Sequence, residues 1–200
     1  MFLSGNQSCF AKVCNMITVG IDEVGRGCWA GPVVAGAVIL NGPIAGLADS
    51  KQLSKRQRER LSAAIRVSAA AIGLGWVAPA ELDEIGLTAA VGLAMRRALD
   101  QITAAYGEII IDGNFNFLAD KLNVKTIIKA DATVPAVSAA SIIAKVARDK
   151  YMADMTRQYP DYGFDSHVGY GTALHLEKLK LHGVSDLHRR SFKPVRALVQ

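Results

Sequence analysis

Cysteine is scarce in this chain: Cys9, Cys14 and Cys28 are an odd, sparse set without a repeated metal-ligand spacing. That argues against a disulfide framework and against a cysteine zinc site, and in favour of reduced thiols. No apolar run approaches the roughly 20 residues of a bilayer-spanning helix, so no membrane partner is expected. Residues 1–16 lack the basic start, apolar centre and small-residue cleavage site of a secretory leader, and a cytoplasmic protein is expected. They also lack periodicity and read as a flexible N-terminal tail, with Met16 as an alternative start. What the chain does have is 200 residues, half of them hydrophobic, enough for one well-buried core and an appendage. A net charge of +5 and a pI near 9.2 are compatible with a polyanionic partner without requiring one.

The rest of the chain is read around residues 17–32. Ile17, Val19 and Ile21 alternate with smaller residues and run into the adjacent acids Asp22 and Glu23. A Gly25-Arg26-Gly27 turn then leads into the apolar run Val33 to Leu40, which reads as a hairpin with acids at its tip. Two desolvated carboxylates side by side need a positive partner, and a divalent cation is the usual one. Gly25, Gly27 and Gly31, with Asp49 downstream, could pass for a dinucleotide-binding fingerprint. That reading needs the glycines to open a helix, whereas Val33, Val34, Val38 and Ile39 are strand material. An ordinary solvated turn would explain the glycines, but not the two acids and Arg26 together.

Asn41-Gly-Pro marks a turn, and Leu47 to Ser54 a loop entering a helix with Ser54 as N-cap. Lys55, Arg56, Arg58, Glu59 and Arg60 lie opposite Leu53, Leu61 and Ile65; a solvated face is preferred over a phosphate-binding stripe. Ala70 to Val77 returns as a third strand, completing an antiparallel meander. Leu87, Val91, Met95, Ala98 and Ile102 then recur at helical spacing up to Tyr106-Gly107, and Glu108 to Asp112 follows as a buried strand. A helix feeding a strand is a crossover unit, so an α/β fold with a mixed sheet is expected. Val124 to Ile128 is a further strand with Asp131 past its end. Val137 to Gln158 is a long helix with Ala139, Ile142, Ile143 and Val146 on its core face.

Three strand ends therefore deliver acids: Asp22 with Glu23, then Asp112, then Asp131. Asp112 alone could be a turn residue before Gly113, and Asp131 alone a loop residue. Together, without His or Cys beside them, they are hard oxygen ligands suited to magnesium or manganese. Such a cluster can hold two ions roughly 4 Å apart and perform in-line phosphoryl displacement, which is nuclease chemistry. A nucleic-acid-binding module without catalysis would not need the acids, which repel phosphates. A small-molecule phosphatase would leave Arg26, Lys51 and Tyr170 without a joint purpose.

The blocks Gly20 to Gly27 with Ala30-Gly31-Pro32, Asp49-Ser50-Lys51, Ile111-Asp112-Gly113, Ser138 to Val146 with Arg148-Asp149, Gly169 to Thr172 and His188 to Phe192 resemble bacterial ribonuclease HII. The resemblance spans about residues 17–194. It implies a ribonuclease H-like fold: a five-stranded mixed sheet flanked by helices, its first three strands antiparallel and its first strand central beside the fourth. It implies domain limits of 17–158 for the catalytic part and 159–200 for a C-terminal helical extension carrying Tyr170. Asp22, Glu23, Asp112 and Asp131 match the family's metal-binding, catalytic carboxylates, with Mn2+ or Mg2+ as cofactor. Gly25, Arg26 and Gly27 match the turn that senses a ribonucleotide 2′-hydroxyl, Tyr170 the tyrosine packed on the sugar at an RNA-DNA junction, and Lys51 a lysine near substrate phosphates. The implied substrates are RNA-DNA hybrids and DNA duplexes containing ribonucleotides, cut 5′ to the ribonucleotide to leave a 3′-hydroxyl and a 5′-phosphate. A monomer acting in ribonucleotide excision repair is expected.

The chain departs from the family at Cys28-Trp29, where Pro-Leu is common, and at Val168, where a lysine is common. Trp29 either fills core or lies near the substrate groove. The histidines His167, His175, His182 and His188 read as solvated or packing residues, since only His175 and His182 share a helical face. Leu174, Leu176, Leu179 and Leu181 mark a helix that closes over the sheet or flanks the substrate.

Overall fold

β1 (Thr18–Val24), β2 (Val33–Leu40) and β3 (Ala69–Val77) form the antiparallel meander that the alternation predicts. β4 (Glu108–Asp112) lies parallel to β1 on its other side, and β5 (Val124–Ile127) parallel to β4. The five-stranded sheet therefore runs β3-β2-β1-β4-β5, with β1 central. The computed structural model describes residues 16–47 and 53–198. Lys51, Asp49 and all but Met16 of the expected N-terminal tail lie outside them.

The helices are α1 (Lys55–Ser68), α2 (Pro79–Ile85), α3 (Leu87–Leu99), α4 (Ala130–Thr133), α5 (Pro135–Met155), α6 (Phe164–His167), α7 (Ala173–His182) and α8 (Lys193–Arg196). Ser54 caps α1 as expected, and Gln57 returns the bond to complete a capping box. Pro79 follows β3 and opens α2, because its missing N–H is no loss at the first helical position. α3 ends seven residues short of the expected Tyr106. Gln101 leaves the helix axis and its side-chain amide pairs with Leu74, donating to the carbonyl at 2.7 Å and accepting from the N–H at 3.3 Å. This covers part of the β3 edge, whose backbone groups would otherwise be open to another chain.

Strand alternation assigns the two faces. Val19, Ile21, Ala35, Ala37, Ile109 and Ile111 meet Val91, Ala94, Met95 and Ala98 of α3 in the main core. On the opposite face Val38 packs with Ile142 and Ile143 of α5 and Leu61 and Ile65 of α1. Gly20 belongs to that second face, and a Cβ there would sit 2.1 Å from the Ala136 carbonyl carbon. Its absence lets α5 lie directly on β1. The same alternation turns Asp22 and Asp112 toward α5. α7 does not close over the sheet. It packs against the Pro160–Tyr162 turn, burying His175 and Leu179 and leaving Leu174 and Leu181 exposed. Among the described residues no helix is long and apolar enough to cross a membrane.

Candidate active site

The parallel register pairs Ile21 with Ile111, so Asp22 and Asp112 follow at neighbouring positions on one face. Asp131 joins them through the turn after β5. Lys129 adopts a left-handed conformation, φ 59°, and the Asp112 carboxylate accepts the Ala130 N–H at 2.7 Å. That bond folds α4 back so that oxygens of Asp22, Asp112 and Asp131 lie within 4.8 Å of one another. Glu23 stands outside this trio. It pairs with Arg26 at 3.0 Å and lines the same cleft.

None of the groups that shift Asp22 is cationic. Burial first, then the charges of Glu23 and Asp112, push the Asp22 carboxyl up to about 8, although the Ser141 hydroxyl draws it back. Burial also raises Glu23, against the pull of Arg26. Hard carboxylate oxygens gathered this closely, with burial opposing the charge on Asp22, fit a divalent cation, which would supply a compensating charge. A pH dependence follows. Because the Asp22 carboxyl is raised above its ordinary 3.8, the metal-free protein should be most stable in mild acid and lose stability as pH rises toward 8. Thermal unfolding with chelator and with Mn2+ checks this. Manganese should restore the melting point most at the alkaline end, and Asp22→Asn should flatten the metal-free profile.

The cleft has a volume of about 270 Å³ and is lined by Val24, Gly25, Arg26, Gly27, Arg58, Lys145 and Tyr170 around Asp22, Glu23, Asp112 and Ser141. Gly25 takes φ +90°, and nothing lies within 4 Å of a Cβ at Gly27, so this part of the turn is open. Tyr170 is 38 % exposed, paired with Cys28 across an isolated bridge. Lys145 Nζ sits 5.4 Å from its ring centre. The cleft thus gathers every expected site residue except Asp131, which is buried beneath it, and Lys51, which lies outside the described residues.

Several residues of the site carry no sequence-based expectation. Ser138, Ser141, Lys145 and Arg148 recur at spacings of three and four, one polar line along α5. The Ser138 hydroxyl donates to the Asp131 carbonyl, and Ser141 meets Asp22. Arg148, fully buried, donates to the carbonyls of Pro32 (2.9 Å), Val168 (2.8 Å) and Ala30 (3.0 Å). Arg189, also buried, donates to Gly31 (2.9 Å) and Arg26 (3.0 Å). The two guanidiniums fix the 26–32 turn. The available signals were polar residues at helical spacing inside an apolar helix and, for Arg189, its place in the block His188 to Phe192. Trp29 resolves toward packing. A Cβ on Gly171 would meet its ring at 2.1 Å, and it joins the cluster of Tyr162, Phe164 and Leu179. Val168, in the lysine position, has φ 42° and packs on the same cluster.

A mixed sheet in this order, with carboxylates converging at adjoining strand ends, defines a metal-dependent nuclease of the ribonuclease H-like class. Comparison with known proteins narrows the class. A family model described as Ribonuclease HII matches residues 19–195. A protein named Ribonuclease HII from Nitrosospira multiformis is 47% identical over 182 residues, covering 90% of this chain and 91% of its own. One of that name from Dichelobacter nodosus is 48% identical over 185 residues, 90% of this chain and 96% of its own. The crystal structure of ribonuclease H2 from Pyrococcus horikoshii is 28% identical, with a TM-score of 0.78 over 92% of this chain and 97% of that one. The chain belongs to the ribonuclease HII family.

Proposed function

We propose that this enzyme hydrolyses the RNA strand of RNA-DNA hybrids and cuts 5′ to ribonucleotides embedded in duplex DNA, leaving 3′-hydroxyl and 5′-phosphate ends. The observation that carries this is the convergence of Asp22, Asp112 and Asp131 within 4.8 Å, beside a cleft rimmed by Gly25, Arg26, Gly27 and Tyr170. Asp22, Asp112 and Asp131, with Glu23 as the fourth acid, would hold Mg2+ or Mn2+. Two such ions, when bound, would activate water and stabilise the leaving oxygen.

The chain's own groups supply selection. Gly27 leaves the turn open where a sugar can approach the backbone closely, Gly25 supplies the positive φ of the turn and leaves room for the Arg148 guanidinium behind it, and the 2′-hydroxyl is what tells RNA from DNA. Arg26, held to Glu23 on one side, presents a side chain that is 53% exposed toward a phosphate strand. Tyr170 offers an aromatic face with a polar tip to the sugar at the junction. Lys51 is assigned a phosphate contact by its place in the family pattern. Residues 159–200 act as the extension that brings Tyr170 to the catalytic part, residues 17–158, and the enzyme works as a cytoplasmic monomer.

The testing experiment is cleavage of a labelled duplex carrying one ribonucleotide, with Mg2+ or Mn2+, beside an all-DNA control. A single metal-dependent cut 5′ to the ribonucleotide is expected, and binding without cutting would overturn the reading. Tyr170→Ala should reduce cleavage at the embedded ribonucleotide about tenfold or more while affecting a continuous hybrid less. Equal losses on the two substrates would remove Tyr170 from junction recognition.

A further inference from the structure

His167, His175 and His188 are buried together, 6%, 0% and 2% exposed, although they come from α6, α7 and the segment before α8. His167 stacks on His175 with ring centres 4.2 Å apart, and Trp29 approaches His175 at 5.5 Å. Phe164 borders all three rings.

Their hydrogen bonds fix every proton. His167 Nδ1 accepts the Gly169 N–H at 3.2 Å, so its proton is on Nε2 and is donated to the Tyr162 carbonyl at 2.8 Å. His175 Nδ1 lies 2.9 Å from the Tyr170 carbonyl, which can only accept, so the proton is on Nδ1 and Nε2 is bare. That bare nitrogen receives the Nε2–H of His188 at 3.0 Å. His188 Nδ1 in turn accepts the Ser185 N–H at 3.0 Å. Three neutral rings satisfy this chain, and the Ser185 hydroxyl also lies 2.8 Å from His188 Nδ1. A metal does not fit instead. Both nitrogens of His167 are engaged by backbone, which leaves two facing nitrogens where zinc needs three or four ligands.

The network ends on the backbone of Gly169 and Tyr170, the strand that faces Cys28 across the cleft rim. We propose that His175 is a positioning residue for Tyr170, its neutral ring clamped between the Tyr170 carbonyl and His188 so that the tyrosine stands over the cleft. This rests on the reading of Tyr170 as a substrate contact. The charged and titratable groups around the trio are few. Asp165 of α6 acts on His167, Arg189 adjoins His188 in sequence, Arg148 of α5 holds the Val168 carbonyl, and the Tyr162 hydroxyl is bonded to the carbonyls of His182 and Gly183. Asp186 is turned to solvent beside Arg190. Burial, with the neighbouring rings, holds His175 and His188 down to about 4, so both rings are neutral at neutral pH, as the His188–His175 bond requires.

The test compares His175→Phe, which removes both bonds, with His175→Asn, whose amide can replace the Nδ1 donor. At neutral pH, His175→Phe should lower the ratio of embedded-ribonucleotide to continuous-hybrid cleavage about tenfold, and His175→Asn should restore it. Both substrates use the same acids, so the ratio cancels any change in metal chemistry. His175→Phe with Tyr170→Ala should fall no further than Tyr170→Ala alone. Equal loss on both substrates, or a further fall in the double variant, overturns the proposal. If Tyr170→Ala itself leaves the ratio unchanged, the reading of Tyr170 fails, and positioning is judged from the ¹⁹F signal of 3-fluorotyrosine at 170. At neutral pH that signal should be displaced in His175→Phe relative to the parent protein and return toward the parent position in His175→Asn; a signal unmoved in His175→Phe overturns positioning. Should His175→Phe not fold, His188→Leu, which removes the donor to His175 and the acceptor facing Ser185, takes its place in each comparison.

Discussion

Asp112→Asn should lower turnover by several powers of ten while the fold persists. The amide oxygen still accepts the Ala130 N–H that the carboxylate now holds at 2.7 Å, so the turn into α4 and the placement of Asp131 are kept. What is lost is one negative charge and one hard oxygen ligand in a trio confined within 4.8 Å. Duplex affinity in the absence of metal should be unchanged or slightly raised, because a group that repels phosphate has gone. Single-turnover cleavage, an unfolding curve and a binding isotherm on the same preparation separate these effects. Turnover within a factor of ten of the parent would sink the proposed site.

The largest expected effect on stability comes from Gly75→Ala. A Cβ at Gly75 would lie 1.8 Å from the Ala94 carbonyl oxygen and 2.6 Å from the Ala98 nitrogen, both backbone atoms of α3. No rotamer change relieves such a contact; helix and strand must separate. The cost should be about 3 kcal/mol, the upper part of the usual overpacking range. For a domain of this size that lowers the melting midpoint by roughly 6–12 °C. Gly42→Ala is the control, since nothing lies within 4 Å of a Cβ there, and its midpoint should move little. A melting midpoint for Gly75→Ala equal to that of Gly42→Ala would mean that α3 does not rest on β3 as described.

Much of the sheet could be read from the chain because its signals are local. The alternation of Val19 and Ile21, the unbroken Ile109-Ile110-Ile111 and the Ser54 cap each act over a few residues, and each element formed within a few residues of its expected limits. α3 was overextended because the periodicity of Ile102 continues past the helix, and Ile102 is indeed buried. What ends the helix is Gln101 reaching Leu74, a partner 27 residues away. The acids were legible as strand-end residues. The meeting of Asp22 and Asp112 depended on strand order, and that of Asp131 on a left-handed Lys129 bonded back to β4. Arg148 and Arg189 stood in the blocks that carry the family resemblance, but what they hold was not legible: a guanidinium hydrogen-bonded to backbone carbonyls leaves no complementary acid in the sequence. The histidines looked scattered over α6, α7 and the segment that follows, and only the third dimension stacks them.

Arg189 reaches Gly31 and Arg26 across 158 and 163 residues, and Asp83 holds the backbone of Arg190 and Ser191 across 107 and 108. During synthesis the amino-terminal hairpin leaves the ribosome long before these partners exist. The sheet can assemble early, since domains organise from the end made first. The turn that borders the acids is not fully held until Arg189 has emerged. A chain cut short before Arg189 would keep all four acids but lose the two guanidinium bonds that secure the turn beside them.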